Sequence, residues 1–290
     1  MDIDGFLATQ QLPKDYADTA LKWFTPLCEH LLTHHNDAEK PFIIGINGCQ
    51  GSGKSTLTSY IEGYLTAVHK KRVVSLSIDD FYYDKSQRHA LAIKVHPLLS
   101  TRGVPGTHDV ALAIKTIQDL SDGTSTALPR FNKATDNPFP RNQWPVVNET
   151  PDFVILEGWC VGVPSQSASE LRQPVNTLEE TEDPLGTWRS FVNTELSRQY
   201  QQLFQKIDYQ VMLRAPSFDC VYQWRLEQEH KLLKNVKGNQ DAIMSDEEVA
   251  NFVQHYQRLT EHALRCLPEK CDTVYYLDDK RTITKKDGKP

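Results

Sequence analysis

The feature that most constrains the chain is a short apolar run followed by a glycine-rich turn, FIIGINGCQGSGKST, at residues 42–56. Gly48, Gly53, Lys54 and Ser55 match the pattern G-x-x-x-x-G-K-[ST] without a mismatch. The apolar run is typical of a buried strand, and the residues after the turn are patterned as a helix. The sequence therefore predicts a strand, a phosphate-binding loop and a helix in the order that the motif requires.

This loop predicts a cradle for a nucleotide polyphosphate. Its glycines let backbone N–H groups point at phosphate oxygens, and the following helix adds its positive N-terminal end. We expect Lys54 to reach the β- and γ-phosphates and the Ser55 hydroxyl to bind Mg²⁺. The residues predicted to bind ATP are Gly48, Cys49, Gln50, Gly51, Ser52, Gly53, Lys54, Ser55 and Thr56.

Strand and helix patterns alternate along the chain. Buried strands are predicted at 42–46, 72–78, 153–158 and 209–214, with a weaker one at 273–277. Helices are predicted at 16–33, restarting near Pro26, and at 54–69, 109–120, 187–206, 217–235 and 245–266. Strands that are apolar on both faces favour a parallel sheet with helices on each side. The expected fold is α/β, a doubly wound, mainly parallel sheet of the P-loop NTPase kind.

The expected organisation is one domain, built around the P-loop, over residues 1–290. It has an N-terminal helix at 1–40, a core at about 41–277 and a short tail at 278–290. Segments 81–108 and 129–150 are rich in Pro, Gly, His and Asn, and we assign them to the substrate side as loops. The acidic, proline-containing insert at 163–186 is assigned to the surface.

Composition excludes several other classes of protein. The 290 residues carry a formal net charge of -6, and the basic residues are scattered, which argues against a surface for nucleic acid or anionic membrane. The six cysteines form no C-x-x-C pair, so neither a zinc site nor a disulfide framework is indicated. Because the N-terminus is acidic and no apolar stretch approaches the roughly 20 residues of a membrane span, we expect a cytoplasmic protein. Its oligomeric state cannot be predicted from the sequence.

Acidic residues follow two of the predicted strands. Asp79 and Asp80 end the strand at 72–78, and Glu157 ends the strand at 153–158. In open α/β sheets ligands collect at the carboxyl ends of the strands. A carboxylate there can hold Mg²⁺ or accept a proton from an attacking hydroxyl, whereas the alternative is that Asp79 or Asp80 caps the next turn. Which acid is the base and which binds the metal stays open.

The middle loops supply candidates for substrate binding. In STRGVPGTHDVALA, Arg102 and His108 lie beside a glycine turn, and Asp109 can also cap the next helix. The full set of predicted substrate-binding residues is Asp80, Tyr82, Arg102, His108, Asp109 and Lys133. Arg130 and Arg141 lie in the same loop as Lys133, where a solvated surface position is the alternative. On the helix at 217–235, which we interpret as a lid, Arg225 is the cation predicted to stabilise phosphoryl transfer.

Five motifs occur together and in order: GINGCQGSGKST, LSIDDFY, RGVPGTHD, LEGW and WRLEQEH. In this combination the chain resembles the P-loop type of D-glycerate 3-kinase and its kinase-like relatives, within a wider group that includes phosphoribulokinase, uridine kinase and bacterial pantothenate kinase. The resemblance implies an ATP- and Mg²⁺-dependent kinase, with Asp79 at the position of the base and Glu157 at the second acidic strand end. One departure is FNKA at 131–134, where the family often has YDKS.

The leading hypothesis is a kinase of a small-molecule hydroxyl, and the resemblance favours D-glycerate as the acceptor. Uridine-like, pantothenate-like and sugar acceptors stay open as alternatives. A P-loop alone also permits an ATPase or switch that acts on a protein partner, or a catalytically idle nucleotide-binding protein.

Overall fold

A computed structural model of the chain describes residues 1–35, 40–235 and 244–288. The strands are β1 Phe42–Gly48, β2 Val73–Ser77, β3 Thr126–Ala127, β4 Phe131–Asn132, β5 Asn137–Pro138, β6 Val146–Val147, β7 Phe153–Gly158, β8 Tyr209–Arg214, β9 Thr273–Leu277 and β10 Ile283–Gly288. The α-helices are α1 Ile3–Thr9, α2 Tyr16–Thr19, α3 Thr25–His34, α4 Lys54–His69, α5 Lys85–Lys94, α6 Val110–Ser121, α7 Thr177–Glu182, α8 Thr187–Glu195, α9 Gln201–Phe204, α10 Asp219–Asn235 and α11 Asp246–Cys266.

Six strands form the main sheet in the order β10-β9-β8-β1-β7-β2. The pairings β2–β7, β7–β1, β1–β8 and β8–β9 are parallel, and β10 pairs antiparallel with β9. The short strands pair separately, β3 with β6 and β4 with β5. The predicted doubly wound, mainly parallel sheet is thus confirmed, and each of the five predicted strands is present.

The sheet is buried on both faces because alternate residues of each strand enter different cores. In β7, Phe153 and Ile155 belong to a core with the N-terminal helices, α4 and α10, whereas Val154 and Leu156 belong to a core with α6, α9 and α11. All four are fully buried. This explains the continuous apolar runs in the sequence, since a strand covered on one face only would alternate with polar residues.

Strand β1 lies at the point where the direction of winding changes. Its neighbours β7 and β8 are both later in the chain and lie on opposite sides of it. At such a point the loops that leave adjacent strands run to opposite faces of the sheet and leave a crevice at the carboxyl ends. The loop between β1 and α4 opens into this crevice, and so the fold itself positions the predicted phosphate cradle.

The structure also contains elements that the sequence patterns did not predict. Helix α5 lies in the segment 81–108, α7 lies in the insert at 163–186, and β10 lies in the predicted tail. The predicted N-terminal helix is divided into α1 and a second run in which a π-helical turn at Ala20–Phe24 precedes α3. The α-helix restarts at Thr25, next to the predicted break at Pro26. A second π-helical turn, Leu196–Tyr200, joins α8 to α9 within the predicted helix 187–206.

Candidate active site

A cavity of about 240 Å³ opens at the carboxyl ends of β1, β2 and β7. Besides Arg225, it brings together seven residues singled out in the sequence as catalytic, metal-binding or substrate-binding, namely Lys54, Ser55, Asp79, Tyr82, Arg102, Lys133 and Glu157. Gln50 and Gly51 of the phosphate loop line it as well. Segments that are far apart in the chain therefore converge on one site.

The phosphate loop has the backbone conformation that the motif predicts. Gly51 and Gly53 have φ values of 78° and 94°, in the left-handed region where glycine is favoured. The Lys54 ammonium donates to the carbonyl oxygen of Cys49 at 3.1 Å, and helix α4 begins at Lys54. Ser52 is buried and its hydroxyl has no hydrogen-bond partner among the described residues. A free buried hydroxyl inside this loop fits a bound phosphate group.

The two acidic strand ends lie beside each other, as the sheet register requires. Glu157 pairs with Ser77 of β2, and Asp79 follows two residues later in a 3₁₀ turn at Ile78–Phe81. Burial raises the pKa of Glu157, while the ammonium of Lys54 opposes this shift. Burial also acts to raise the pKa of Asp79, but the charge and hydrogen bond of Lys133 outweigh it, and the pKa lies below its usual value.

Asp79 is held by two partners that come from the substrate-side loops. Its Oδ1 accepts from the Tyr82 hydroxyl at 2.8 Å, and its Oδ2 accepts from the Lys133 ammonium at 2.7 Å. The Lys133 side chain is 62% exposed, whereas that of Asp79 is 28% exposed. Glu157, in contrast, has Lys54 as its strongest electrostatic partner. The two neighbouring carboxylates thus differ in their main cationic partner.

Lys133 reaches the cavity from the hairpin 131–138, which comprises β4, β5 and the turn between them. In the motif FNKA, the Phe131 ring packs edge-on against Tyr82, with centroids 5.3 Å apart. The Asn132 side-chain oxygen accepts from the N–H groups of Ala134 and Thr135 and so closes the turn. The departure from YDKS therefore keeps an aromatic ring and a turn-forming oxygen, together with the lysine.

An aromatic wall lines the cavity next to Arg225. It consists of Trp159, which follows β7, and of Phe252 and Tyr256 on α11. Trp159 and Tyr256 pack edge to face at 4.9 Å, and the Arg225 guanidinium lies 5.8 Å from the Phe252 ring centroid. Arg225 also forms an ion pair with Glu229 one turn along α10. These rings give part of the cavity an apolar lining.

Three of the predicted substrate-binding residues do not line the cavity. Asp80 accepts from the Phe131 N–H and from Arg130, which fixes the hairpin to the 3₁₀ turn. His108 is buried, and its Nδ1 lies 2.6 Å from the Tyr200 hydroxyl.

Asp109 caps α6 by accepting from the Leu112 N–H at 2.9 Å, which is the capping alternative considered in the sequence analysis. Arg141, a further candidate, lies over the Trp144 ring rather than in the cavity. These four side chains have structural contacts and do not line the cavity, so nothing in the structure supports their predicted role in substrate binding.

Several cavity residues were not predicted. Trp159, Phe252 and Tyr256 reach the site only through long-range packing, and nothing in their local sequence distinguishes them from core residues. Asp136 was not predicted either; it does not line the cavity but pairs with Arg102, which does, and it lies in a polar turn without a motif. Only Trp159 could have been found from the sequence, because the motif LEGW places it two residues after the candidate acid Glu157.

The donor set for a metal ion is small. Among residues 1–35, 40–235 and 244–288, no group of three or more His, Cys, Asp or Glu side chains is arranged to hold a metal ion. Mg²⁺ in kinases usually takes one or two carboxylates and completes its shell with water and substrate phosphates. Ser55, Asp79 and Glu157, which line one cavity, fit this kind of site.

Comparison with known proteins matches residues 43–173 to the model of the Phosphoribulokinase / Uridine kinase family. An uncharacterized kinase of Schizosaccharomyces pombe is 38% identical over 228 residues, which cover 75% of this chain and 79% of that protein. The chain belongs to the phosphoribulokinase/uridine kinase family. As a member of this family it is a small-molecule kinase and thus a phosphotransferase.

Two further relatives of this family member are D-glycerate 3-kinases. The chloroplastic D-glycerate 3-kinase of Arabidopsis thaliana is 30% identical over 245 residues, which cover 79% of this chain and 50% of that protein. The structure of D-glycerate 3-kinase from Cryptococcus neoformans superimposes with a TM-score of 0.76 at 24% identity and covers 92% of this chain and 99% of that one. This structural likeness establishes the shared fold. In the part of the chain that the structure describes, no helix has the length and apolarity needed to span a bilayer.

Proposed function

We propose that the protein is an ATP- and Mg²⁺-dependent kinase that phosphorylates a hydroxyl group of D-glycerate. The observation that carries the proposal is the charge of the cavity: beside Lys54 of the phosphate loop, it is lined by Arg102, Lys133 and Arg225. A neutral sugar or nucleoside needs no such set of cations. An acceptor that bears a carboxylate does, because charge-assisted hydrogen bonds to arginine and lysine bind it strongly.

The nucleotide half of the cavity supports the donor part of the proposal. When bound, ATP supplies the γ-phosphoryl group, and Mg²⁺ offsets part of its negative charge. Lys54 exchanges its contact with the Cys49 carbonyl for the phosphates, and Ser52 supplies its unpartnered hydroxyl. Ser55 and Glu157 would supply protein oxygen atoms to the metal ion, and Asp79 lines the same cavity.

The two carboxylates then take different roles. Asp79 contacts side chains of the substrate-side segments and is the candidate base that accepts the proton of the acceptor hydroxyl. Glu157 faces Lys54 and serves the metal side. The hydroxyl oxygen forms the new bond to the γ-phosphorus as the bond to the β-γ bridging oxygen breaks, and ADP leaves. Arg225 contributes positive charge near the transferred group.

D-Glycerate is favoured over other acids by the relatives, two of which are named D-glycerate 3-kinases. The cavity supports this choice because its aromatic wall and the hairpin 131–138 confine the acceptor to a small space. A switch would act on a protein partner through an open surface beside the phosphate loop, whereas in the described residues this loop borders a cavity that is also lined by Phe252 and Tyr256 of α11.

The test is a coupled ADP-release screen over hydroxy acids, sugars and nucleosides with Mg·ATP. We expect turnover with D-glycerate that requires Mg²⁺, and little turnover with glycerol, in which a neutral hydroxymethyl group replaces the carboxylate. Turnover with only a nucleoside or only a sugar would show that this compound, and not D-glycerate, is the acceptor. Equal ADP release with and without every acceptor would instead support an ATPase or switch.

A further inference from the structure

We propose that Asp136 is a positioning residue that holds the Arg102 guanidinium in place to bind the carboxylate of the acceptor. The inference rests on the proposed function, since it assigns a recognition role within the same cavity. Asp136 does not line that cavity, and no sequence motif marks it.

The backbone at Arg102 is fixed by the aromatic wall. The Tyr256 hydroxyl donates to the Arg102 carbonyl at 3.2 Å, and the Trp159 indole N–H donates to the Gly103 carbonyl at 3.1 Å. Gly103 has a φ of 142°, and a Cβ there would lie 2.3 Å from the Tyr256 hydroxyl oxygen. Only glycine allows this close approach, so the start of the Arg102 side chain has a defined position.

The far end of the Arg102 side chain is fixed by the hairpin 131–138. Its Nη1 donates to Oδ1 of Asp136, and the guanidinium carbon lies 5.7 Å from the Phe131 ring centroid. The Arg102 side chain is 30% exposed and still lines the cavity. An arginine that is restrained at both ends loses little freedom when it binds a ligand, which favours binding.

Asp136 is itself anchored by a buried arginine. The Arg88 side chain is 2% exposed, and its Nη2 donates to Oδ2 of Asp136 at 2.7 Å and to the Asp136 carbonyl at 3.0 Å. Its other nitrogens donate to the carbonyls of Tyr83 and Ser100. One oxygen of Asp136 is thus committed to Arg88, which turns the other toward Arg102.

The remaining cavity cations are less suited to be the anchor for a carboxylate. Lys133 pairs with Asp79, the candidate base, and Arg225 is the cation proposed above to act on the transferred phosphoryl group. The planar fork of an arginine can give two parallel N–H bonds to a carboxylate, whereas a lysine acts as a point charge. Arg102 combines this fork with a fixed orientation.

The test compares Asp136→Asn with the wild-type enzyme in steady-state kinetics. We expect the KM for D-glycerate to rise about tenfold, which corresponds to about 1.4 kcal/mol, with kcat and the KM for ATP within about twofold of wild type. The low turnover of glycerol is expected to stay unchanged, because it has no carboxylate. Asp119→Asn, which breaks an exposed ion pair with Lys115 on α6, is the matched control and should leave each constant unchanged.

A double-mutant cycle with Arg102→Ala separates positioning from a general structural role. If Asp136 acts through Arg102, Asp136→Asn adds nothing to the KM of the Arg102→Ala enzyme. Additive effects of the two changes would overturn the inference. Because the Asn variant leaves Arg88 without its carboxylate partner, Asp136→Glu is made alongside it. This variant keeps the charge but displaces it, and an unchanged KM for the acid in a folded Asp136→Glu enzyme would also overturn the inference.

Failure of the inference differs from failure of the proposed function. If the wild-type enzyme uses D-glycerate and Asp136→Asn has the wild-type KM, the inference fails and the function stands. If the wild-type enzyme uses a different hydroxy acid, the same comparison is made with that acid. If it uses neutral acceptors only, both fail.

Discussion

At the scale of single residues, the position of Asp79, the candidate base, depends on a row of side chains in contact with one another. Asp79 is held by Tyr82 and Lys133, and Tyr82 in turn stacks on His108 with ring centroids 4.4 Å apart. This row of side chains ends at Tyr200, whose hydroxyl also accepts from the Gly106 N–H. The π-helical turn in which Tyr200 lies thus supports the candidate base through two intervening rings.

The first prediction concerns Asp79 directly. Asp79→Asn keeps the shape and an oxygen for the Tyr82 hydroxyl but removes the proton acceptor. We expect phosphoryl transfer to fall by about 10²–10⁴-fold, while ATP binding measured by calorimetry changes little. Normal turnover in this variant would show that Asp79 is not the base.

The second prediction concerns pH. Burial lowers the pKa of His108 to about 4, so the folded protein keeps this ring neutral where an exposed histidine is charged. A depressed pKa contributes stability that is fully present above about pH 6.5 and is lost as the pH falls toward 4. In His108→Gln, the free energy of unfolding should depend less steeply on pH between 6.5 and 4, as measured by urea denaturation. An equal slope in the two proteins would contradict this assignment.

At the scale of elements, α11 is the helix that joins the active site to the insert at 163–186. It carries Phe252 and Tyr256 to the cavity and, at Arg258, a buried pair with Glu179 of α7. Both oxygens of Glu179 accept from Arg258, at 2.7 and 2.6 Å. The insert has exposed residues over much of its length, as the surface assignment predicts, yet this contact makes it a support for the helix behind the aromatic wall.

The third prediction tests that support. Glu179→Ala leaves the Arg258 guanidinium buried without its carboxylate, and we expect the free energy of unfolding to fall by about 3–5 kcal/mol. The neighbouring Glu180→Ala is the control, because Glu180 is exposed and its loss should cost less than about 0.5 kcal/mol. The measurement is denaturant titration of the wild-type protein and the two variants. If both variants lose the same free energy of unfolding, the Arg258–Glu179 pair has no structural role.

These elements also show what could be predicted from the sequence and what could not. The strand-loop-helix at 42–69 and the acids at 79 and 157 were predictable because each depends on local pattern and on the general rule for the ends of parallel strands. The contribution of α11 could not be predicted. The pattern of its aromatic residues is that of an ordinary core helix, and only the structure shows that the helix passes beside the cavity. Strand β10 was missed since ITKKDG has little apolar pattern, as is common for an edge strand guarded by lysines.

At the scale of the whole molecule, the phosphate loop lies between the two cores that cover the faces of the sheet. The core with α4 includes Leu57 and Ile61, and the opposite core includes Val161 and Tyr256. The phosphate loop and the acids at the strand ends are therefore next to both cores. We expect a nucleotide that binds there to stabilise the whole protein against unfolding.

The fourth prediction follows from this coupling. Mg·ATP at about 100 times its Kd should raise the free energy of unfolding by about 2.7 kcal/mol, seen as an increase in Tm. Lys54→Met, which removes the ammonium from the loop, should reduce the gain at the same nucleotide concentration. If the wild-type protein shows neither a shift in Tm nor binding heat, the nucleotide site proposed for the loop is disproved.

The hairpin 131–138 has a consequence for how enzymes of this architecture diverge. It touches the rest of the cavity through side chains, with Lys133 on Asp79 and Asp136 on Arg102, and it is no part of the main sheet. Eight residues thus carry one cation that lines the cavity and the carboxylate that pairs with a second. We expect exchange of this hairpin between related enzymes to change which acceptor is used, while the phosphate loop and its contacts stay the same.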